Sequence, residues 1–534
     1  SLLAALDGQH VPSSYGGDPV RNPESLPTGR NLYGFDPSRV PTTQAWQIGV
    51  GVLDDWIESY RHKHDGEYPQ QIAFTMWAGE TMRHHGVMEA QIMHALGVRP
   101  RWNGSGRMTG FDIVPASQLG RPRLDVLMSV TGSYRDQFPH LMRWIDEAVV
   151  AVAALEASAD ETPSDSVNYV ARHTERLRRT LEESGVAAAD AVRQSTARVF
   201  SNESGGYGTG LNNAADASDV WESQTRGGGD TAMAELFTQR MGHAYGEGLG
   251  GVPAAKLFAN QLANVDAAFM ARSSNTYGVL TSDDPYAYLG GFSLAVRAAG
   301  RKPPELYVQN LRDESEVIVD SASGAIAKEM QTRYLHPQWI KAQQAEGYSG
   351  TLQVLKATKF LWGWQVAAPE TVREDQWHSM MDVYVNDKYN LGTREWFQQD
   401  NHAALAQILE RMIDAVRLGY WQPDAESRAT LLEAYADATQ ASELIQRHQA
   451  VTQFVSAQRE VATGAKPDAA ANEVTANQPT QFVRGQELRP QRQSPDEIVD
   501  ESPSMTWRTV NTIAVMMLLF VLGAFLQYRR VATG

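Results

Sequence analysis

The sequence predicts an α/β domain followed by a mainly helical one: a parallel, helix-covered sheet over residues 1–160, then long helices over residues 161–458. Two patterns carry that reading. In the first part, short apolar runs alternate with helical stretches at the spacing of strand–helix–strand units. From about Ser166 amphipathic periods take over, broken by glycine-rich loops such as SNESGGYGTG at 201–210. A third pattern lies near the C-terminus, where Val510–Leu526 (VNTIAVMMLLFVLGAFL) is the only long apolar run in 534 residues.

The elements follow in order. Residues 1–45 are rich in Gly, Pro, Ser and Asn and read as an extended loop. Thr42 or Thr43 caps a helix running to about His64, with Trp46, Val50, Leu53 and Ile57 on one face. Gln71–Trp77 reads as a buried strand, Glu80–Leu96 as a helix and Val98–Trp102 as a second strand. Phe111–Pro115 and Leu124–Val130 are further strand candidates, and Phe138–Leu155 is a strongly apolar helix. Later helices are expected at Ala325–Tyr334, Leu352–Trp364, Trp377–Val385, His402–Leu418 and Ala425–Ser456.

Residues 459–508 read as a disordered tether. Five prolines and many Gln, Asn, Ala and Asp leave too little apolar area to order it. Residues 509–528 read as one C-terminal transmembrane helix, because at 1.5 Å per residue they cross a hydrocarbon core of ~30 Å. Trp507, Tyr528, Arg508, Arg529 and Arg530 supply the flanks that a bilayer interface selects. A buried core helix is the alternative. The expected location is the bacterial inner membrane. Arg529 and Arg530 hold the short tail in the cytoplasm and leave the body periplasmic, while Arg492 and Arg508 count towards a cytoplasmic body.

Composition excludes several classes. A net charge of −16 provides no basic excess to displace counterions, so general nucleic-acid binding is not expected. Without cysteine there are no thiolate metal sites, iron–sulfur clusters or cysteine nucleophiles. No P-loop motif and no H-E-x-x-H occurs. The opening SLLAALDGQHVP has no basic n-region and so does not read as a signal peptide, and without an initiator Met the start reads as the middle of a longer protein.

Some motifs remain as chemical candidates. Gly205–Gly210 offers a phosphate cradle, although a structural loop is the better reading. His62-Lys63-His64 reads as a solvated helix end. His84 and His85 follow Trp77-Ala78-Gly79-Glu80, where a strand enters a helix, the usual ligand edge of an α/β sheet. Arg123 and Asp125 lead into a strand, and Arg135 and Asp136 follow its end. Planar guanidinium groups there suit anionic ligands, while an internal salt-bridge network is the plainer reading.

These motifs together resemble a known family. Leu26-Pro-Thr-Gly-Arg-Asn-Leu-Tyr-Gly-Phe-Asp36, Met76-Trp77, Leu96-Gly-Val-Arg-Pro100 and Gly120-Arg-Pro-Arg-Leu-Asp-Val126 are similar to segments of the large subunit of class I tetrapyrrole metal chelatases. Gly132-Ser-Tyr-Arg-Asp136, Arg198-Val-Phe-Ser-Asn202, His336-Pro-Gln-Trp339 and Gly419-Tyr-Trp421 continue the likeness, from about Leu6 to Pro423. That family comprises the CobN-type cobaltochelatase protein and the H-type large component of magnesium chelatase, and such large subunits are roughly twice this long.

The resemblance implies a tetrapyrrole ligand and a divalent metal as substrate: cobalt by default, with iron or magnesium as alternatives. It implies ATP used by AAA+ ATPase and von Willebrand-type partner subunits and not bound by this chain. Glu80, His84, His85, Asp283 and Asp284 are the expected catalytic groups, with Glu80 and His85 as metal ligands. Arg83, Arg123, Asp125, Arg135, Asp136, Asn202 and Tyr207 are the expected ring-binding groups, meeting in a cleft between the two domains. Cobalt enzymes tend to carry an Asp pair where this chain has Glu80 and two His. Leu361-Trp-Gly-Trp364 and Val383–Gly392 look closer to CobN-like proteins of haem uptake, some of them membrane-tethered. Iron removal from haem is therefore the alternative reaction, and a non-catalytic tetrapyrrole carrier is the alternative from another class.

Overall fold

The computed structural model describes residues 2–463 except 12–13, 16–25, 27–28, 30, 34, 156–166, 218–228, 275, 314 and 441–448. The described residues belong to one compact unit. Of the expected tether, residues 459–463 instead end a helix over Gln449–Thr463; the rest of it and the apolar run at 510–526 lie outside the described residues. No helix among the described residues is long and apolar enough to cross a membrane.

Two short strands, β1 (Ser14–Tyr15) and β2 (Asn31–Tyr33), pair in parallel ahead of the main body. Helix α1 (Thr43–Lys63) starts where the Thr42 hydroxyl accepts the Ala45 N–H at 3.1 Å. It buries Ala45, Gly49, Leu53, Trp56, Ile57 and Tyr60, one stripe at helical spacing. Arg61, His62 and Lys63 in its last turn suit the negative end of the helix dipole.

Next come β3 (Gln71–Met76), α2 (Ala78–His84) and α3 (Val87–Leu96). The single helix expected over Glu80–Leu96 is broken: His85 and Gly86 both adopt left-handed backbone, φ 51° and 97°. The break lets the Val40-Pro41 segment pack into the joint, and the Thr42 N–H reaches the His85 carbonyl at 3.1 Å. A Cβ on Gly86 would meet the Pro41 Cα at 2.6 Å. Gly86→Ala is therefore expected to lose about 1–3 kcal/mol of stability, read from urea denaturation. A loss of only a few tenths would show that the joint relaxes freely.

Strands β4 (Val98–Trp102) and β5 (Met108–Ile113) were expected in the sheet but form their own antiparallel hairpin. Their alternate burial, one face covered and one open, is the pattern of such a ribbon. Strand β6 (Asp125–Val130) pairs with β3 in parallel, Gln71 opposite Asp125 and Met76 opposite Val130. Helices α4 (Gly132–Gln137) and α5 (Pro139–Ala153) follow.

The sheet continues past residue 160, where a mainly helical domain was expected. Strands β7 (Val199–Ser201), β8 (His243–Tyr245), β9 (Val252–Pro253), β10 (Ala267–Arg272), β11 (Glu305–Asn310) and β12 (Ile318–Ser321) complete eight strands in the order β12-β11-β10-β3-β6-β7-β8-β9. β11, β10, β3, β6 and β7 run parallel, while β12, β8 and β9 are antiparallel additions at the two edges.

Both faces are covered, so strand residues alternate between two cores. Ile72, Phe74, Phe269 and Met128 face the core under α1, α3 and α5. Ala73, Leu127, Met270 and Phe200 face the other, larger core. That core is built from the later helices, α6 (Tyr348–Ala367), α7 (Glu374–Tyr384), α8 (His402–Arg417) and α9 (Ala425–Gln440). Trp362, Trp364 and Trp377 fill it. These helices match the expected ones to within a few residues at each end; of the helix expected over Ala425–Ser456, residues 441–448 lie outside the described ones, and helix follows again over Gln449–Thr463.

Candidate active site at the reversal of strand order

In open α/β sheets ligands bind beyond the C-terminal strand ends, where the strand order reverses. Here the chain leaves β3 for β6 and β7 on one side, then returns to β10 on the other side of β3. The reversal falls between β3 and β10. Each strand end there delivers polar groups: Trp77 and α2 after β3, Thr131 and α4 after β6, Asn202 after β7, Ser273 after β10.

Glu80 sits at that point and is buried. Its Oε1 accepts from Arg83 Nη2 at 2.7 Å and lies 3.7 Å from Arg272 Nη1. The Ser273 hydroxyl donates to Oε2, and Arg83 Nε donates to Ser273 Oγ at 2.9 Å. Burial opposes the charge on Glu80, but Arg272 and Arg83, then Ser273, hold its pKa below the usual carboxylate range. It is an ionised anchor for two arginines.

The Arg272 guanidinium lies 5.3 Å from the Trp77 ring centre, and Trp77 meets Tyr288 edge to face at 5.5 Å. The Arg272 Nε donates to the Gly278 carbonyl at 3.2 Å, fixing the loop that leads to Asp283 and Asp284. Asp284 is solvent-exposed. Crowding by the protein, then the adjacent Asp283 charge, raises its pKa against the pull of Arg272. An exposed carboxylate with a raised pKa is the best proton acceptor in this group.

Arg135 forms the other half. Its Nη1 donates to the carbonyls of Asn202 (3.1 Å), Glu203 (2.6 Å) and Gly206 (3.3 Å), and its Nε donates to Asp136 Oδ1 at 2.9 Å. Its Nη2 is buried without a hydrogen-bond partner, as are Asn202 Oδ1 and Trp77 Nε1. The Tyr207 hydroxyl donates to Asp136 Oδ2 at 2.6 Å, and its exposed ring lies 5.6 Å from the Arg135 guanidinium carbon. Gly132 permits this: a Cβ there would meet the Tyr207 ring at 2.5 Å. In the Glu80 half, Arg83 stands 5.8 Å from the ring of Tyr277, which is also exposed. Tyr288 joins the two halves, packing against the Gly208 backbone within electrostatic reach of Asp284 and Arg135.

The structure thus brings together Glu80, Arg83, Asp283 and Asp284, with Arg135, Asp136, Asn202 and Tyr207 alongside. The other candidates are placed differently. His84 is buried, and its Nδ1 accepts the N–H groups of Gly86 (3.2 Å) and Val87 (3.1 Å), closing the break before α3. His85 is exposed and stacks on Phe35 at 6.0 Å. Among the described residues no three His, Asp or Glu side chains converge as metal ligands. The expected Glu80–His85 pair therefore forms no such cluster.

Arg123 and Asp125 lie at the opposite, N-terminal end of β6. A strand of this length separates the two ends by ~17–20 Å. Arg123 spends its guanidinium on the carbonyls of Leu96, Gly97 and Val114. Asp125 is fully buried against Arg198 (2.8 Å) and His173 (2.9 Å). Both are structural groups. The sequence reading missed Arg272, Ser273, Tyr277 and Tyr288, all beyond the last strand it assigned.

A mostly parallel sheet with a charged, aromatic-flanked reversal point defines a ligand-binding α/β protein. The CobN/Magnesium Chelatase family model matches residues 1–428, and the chain belongs to that family. It is 33% identical over 432 residues to the aerobic cobaltochelatase protein CobN of Pseudomonas aeruginosa, covering 80% of this chain and 33% of that protein. It is 29% identical to the H-type magnesium-chelatase protein of Chlorobaculum parvum, covering 82% of this chain and 32% of that one. The solved catalytic subunit of cobaltochelatase from Mycobacterium tuberculosis superimposes with a TM-score of 0.70 at 30% identity, over 82% of this chain and 36% of that one. The chain spans about a third of the length of the curated relatives it matches.

Proposed function

We propose that this chain is the C-terminal part of a CobN-type chelatase large subunit that holds a tetrapyrrole and inserts cobalt into a corrin-precursor ring, while AAA+ and von Willebrand-type partners use the ATP. The observation that carries this reading is the pair of arginine-backed, exposed tyrosines, Tyr207 beside Arg135 and Tyr277 beside Arg83. Flat aromatic faces suit a macrocycle, and the unpartnered Arg135 Nη2 suits a carboxylate on its rim.

Insertion exchanges two pyrrole N–H protons for one divalent ion. Asp284, with its raised pKa, takes up one pyrrole proton, hands it to the surrounding water and takes up the second in turn, while Asp283 beside it attracts the incoming cation. Glu80 stays ionised and keeps Arg83 and Arg272 in place. Arg135→Ala is expected to weaken porphyrin binding at least ~10-fold, whereas Glu80→Gln leaves more of it, because the arginine meets the ring's edge. Equal affinities of the two variants, titrated by porphyrin fluorescence, would refute that division of roles.

Iron removal from haem is the second reading, favoured by Leu361–Trp364 and Val383–Gly392. Giving the full chain and its ATPase partners haem, a free porphyrin and a corrin precursor with cobalt, and following the absorption spectra, separates the reactions. Loss of the haem spectrum with release of free porphyrin would replace insertion by removal. Binding without metal transfer would leave a carrier. We further propose anchoring to the inner membrane through residues 509–528 with the body periplasmic. A reporter active only in the periplasm, fused after Gly534, should be silent.

A further inference from the structure

Glu89 is a carboxylic acid in the protein interior that neither ring binding nor proton transfer uses. It lies in the first turn of α3 and has no solvent exposure. Its Oε1 accepts two hydrogen bonds, from Thr81 Oγ1 at 2.8 Å and from the Tyr134 hydroxyl at 2.9 Å. Its Oε2 is buried with no partner. Thr81 follows Glu80 on α2, and Tyr134 precedes Arg135 on α4. One oxygen therefore ties together the two short helices that carry the two halves of the site.

We propose that Glu89 is a positioning residue: a buried carboxylic acid that latches α2 to α4 and holds them firmly only while it keeps its proton.

The surroundings favour the neutral acid. Burial pushes the Glu89 pKa up to about 7, and the Thr81 and Tyr134 hydrogen bonds only partly oppose that. Tyr134 is the titratable group bonded to it, and its own pKa is raised well above the ordinary value by burial and by Glu89. Several charged groups on the elements around α3 are engaged elsewhere. On α2, Glu80 pairs with Arg83, and the His84 ring accepts from Gly86 and Val87. On α4, Arg135 pairs with Asp136; on α1, Asp54 pairs with His94 of α3; on α5, Asp146 pairs with Arg193. At the start of β6, Asp125 pairs with Arg198. Among the described residues no cation is ion-paired with Glu89, and its bare Oε2, if ionised, would draw in water.

The sign follows from linkage. A group whose pKa is higher in the closed form than when opened to water favours the closed form at low pH. That preference fades as pH rises from the open-form value near ~4.5 towards about 7, and is constant above it. Amide protection in residues 78–84 and 132–137 of the full chain, corrected for intrinsic exchange rates, should fall about 100-fold over that interval and then level off. Glu89→Gln keeps the acceptor but cannot ionise, so the fall should vanish. Tyr134→Phe and Thr81→Val each remove a bond that favours the ionised form, so levelling off should move to higher pH. These two variants decide the matter should Glu89→Gln fold poorly.

Only the ring-binding arm rests on the proposed function: protoporphyrin IX affinity should decline over the same interval in the unmodified chain and not in Glu89→Gln. A pH dependence of exchange that survives Glu89→Gln, or that spreads equally over all helices, overturns the latch. Altered exchange with unchanged porphyrin affinity overturns its role in positioning. Absence of porphyrin binding at every pH overturns the functional reading instead, and the exchange data still judge the latch.

Discussion

Asp284→Asn should slow metal transfer by ~100-fold or more while ring binding is kept, because a positioned proton acceptor contributes about that much. Asparagine has nearly the same shape but takes up no proton. Asp284 is exposed, so little packing is lost, and a stability change is not what the rate would report. Its raised pKa also fixes a pH limb. Transfer should rise with pH as Asp284 loses its proton, with a midpoint above the ordinary aspartate value of ~3.9, and that limb should disappear in the variant. Single-turnover kinetics measure both. Transfer within threefold of the unmodified rate would remove Asp284 from the chemistry.

The largest effect on stability should come from the far end of the sheet. Asp125 and Arg198 have no solvent exposure and meet at 2.8 Å, with His173 completing the group. Asp125→Ala leaves a guanidinium buried without its counter-charge, at an expected cost of about 3–5 kcal/mol, against much less for Asp125→Leu combined with Arg198→Met. Chemical denaturation of the three proteins tests this, and a single-variant loss below ~1 kcal/mol would contradict it. Arg198 and His173 outweigh burial and depress the Asp125 pKa. The stability it contributes is therefore present above the ordinary aspartate value and fades as pH falls through the depressed one.

The centre of the sheet was legible from sequence, and its flank was not. QIAFTM and DVLMSV are rich in β-branched and aromatic residues between turn signals, and they pair as expected. The β10 strand, AAFMAR, is made of good helix formers. With both its faces buried it shows no alternation to correct that impression. β7 has only three residues. Missing these strands moved the domain boundary to residue 160 and hid Arg272 and Ser273.

The site suffered from the same blindness to direction. Arginine beside aspartate looks alike at either end of a strand, so Arg123-Leu124-Asp125 and Arg135-Asp136 drew one interpretation although they lie at opposite edges. Glu80, Arg83, Asn202 and Tyr207 could be assigned to one edge of the sheet because each follows a strand or loop whose order along the chain is plain. The left-handed pair His85-Gly86 gave a weaker signal. A glycine inside a helical period is usually tolerated, and here it is a joint.

The union of β3 with β10 has a consequence for how the molecule is made. Thr75 donates its hydroxyl to the Phe269 carbonyl, 194 residues further along the chain. Such a contact closes a long loop before it yields any stabilisation, and topologies of that kind acquire their native arrangement slowly. On the ribosome, the segment through Val130 can collapse around α1 and α3 well before its partner strand exists. The exposed flank of β3 is then an open strand edge waiting for β10, and a hazard for pairing with the wrong chain. Glu80 meets Ser273 only when that wait ends, so the two sides of the candidate site come together no earlier than the emergence of β10.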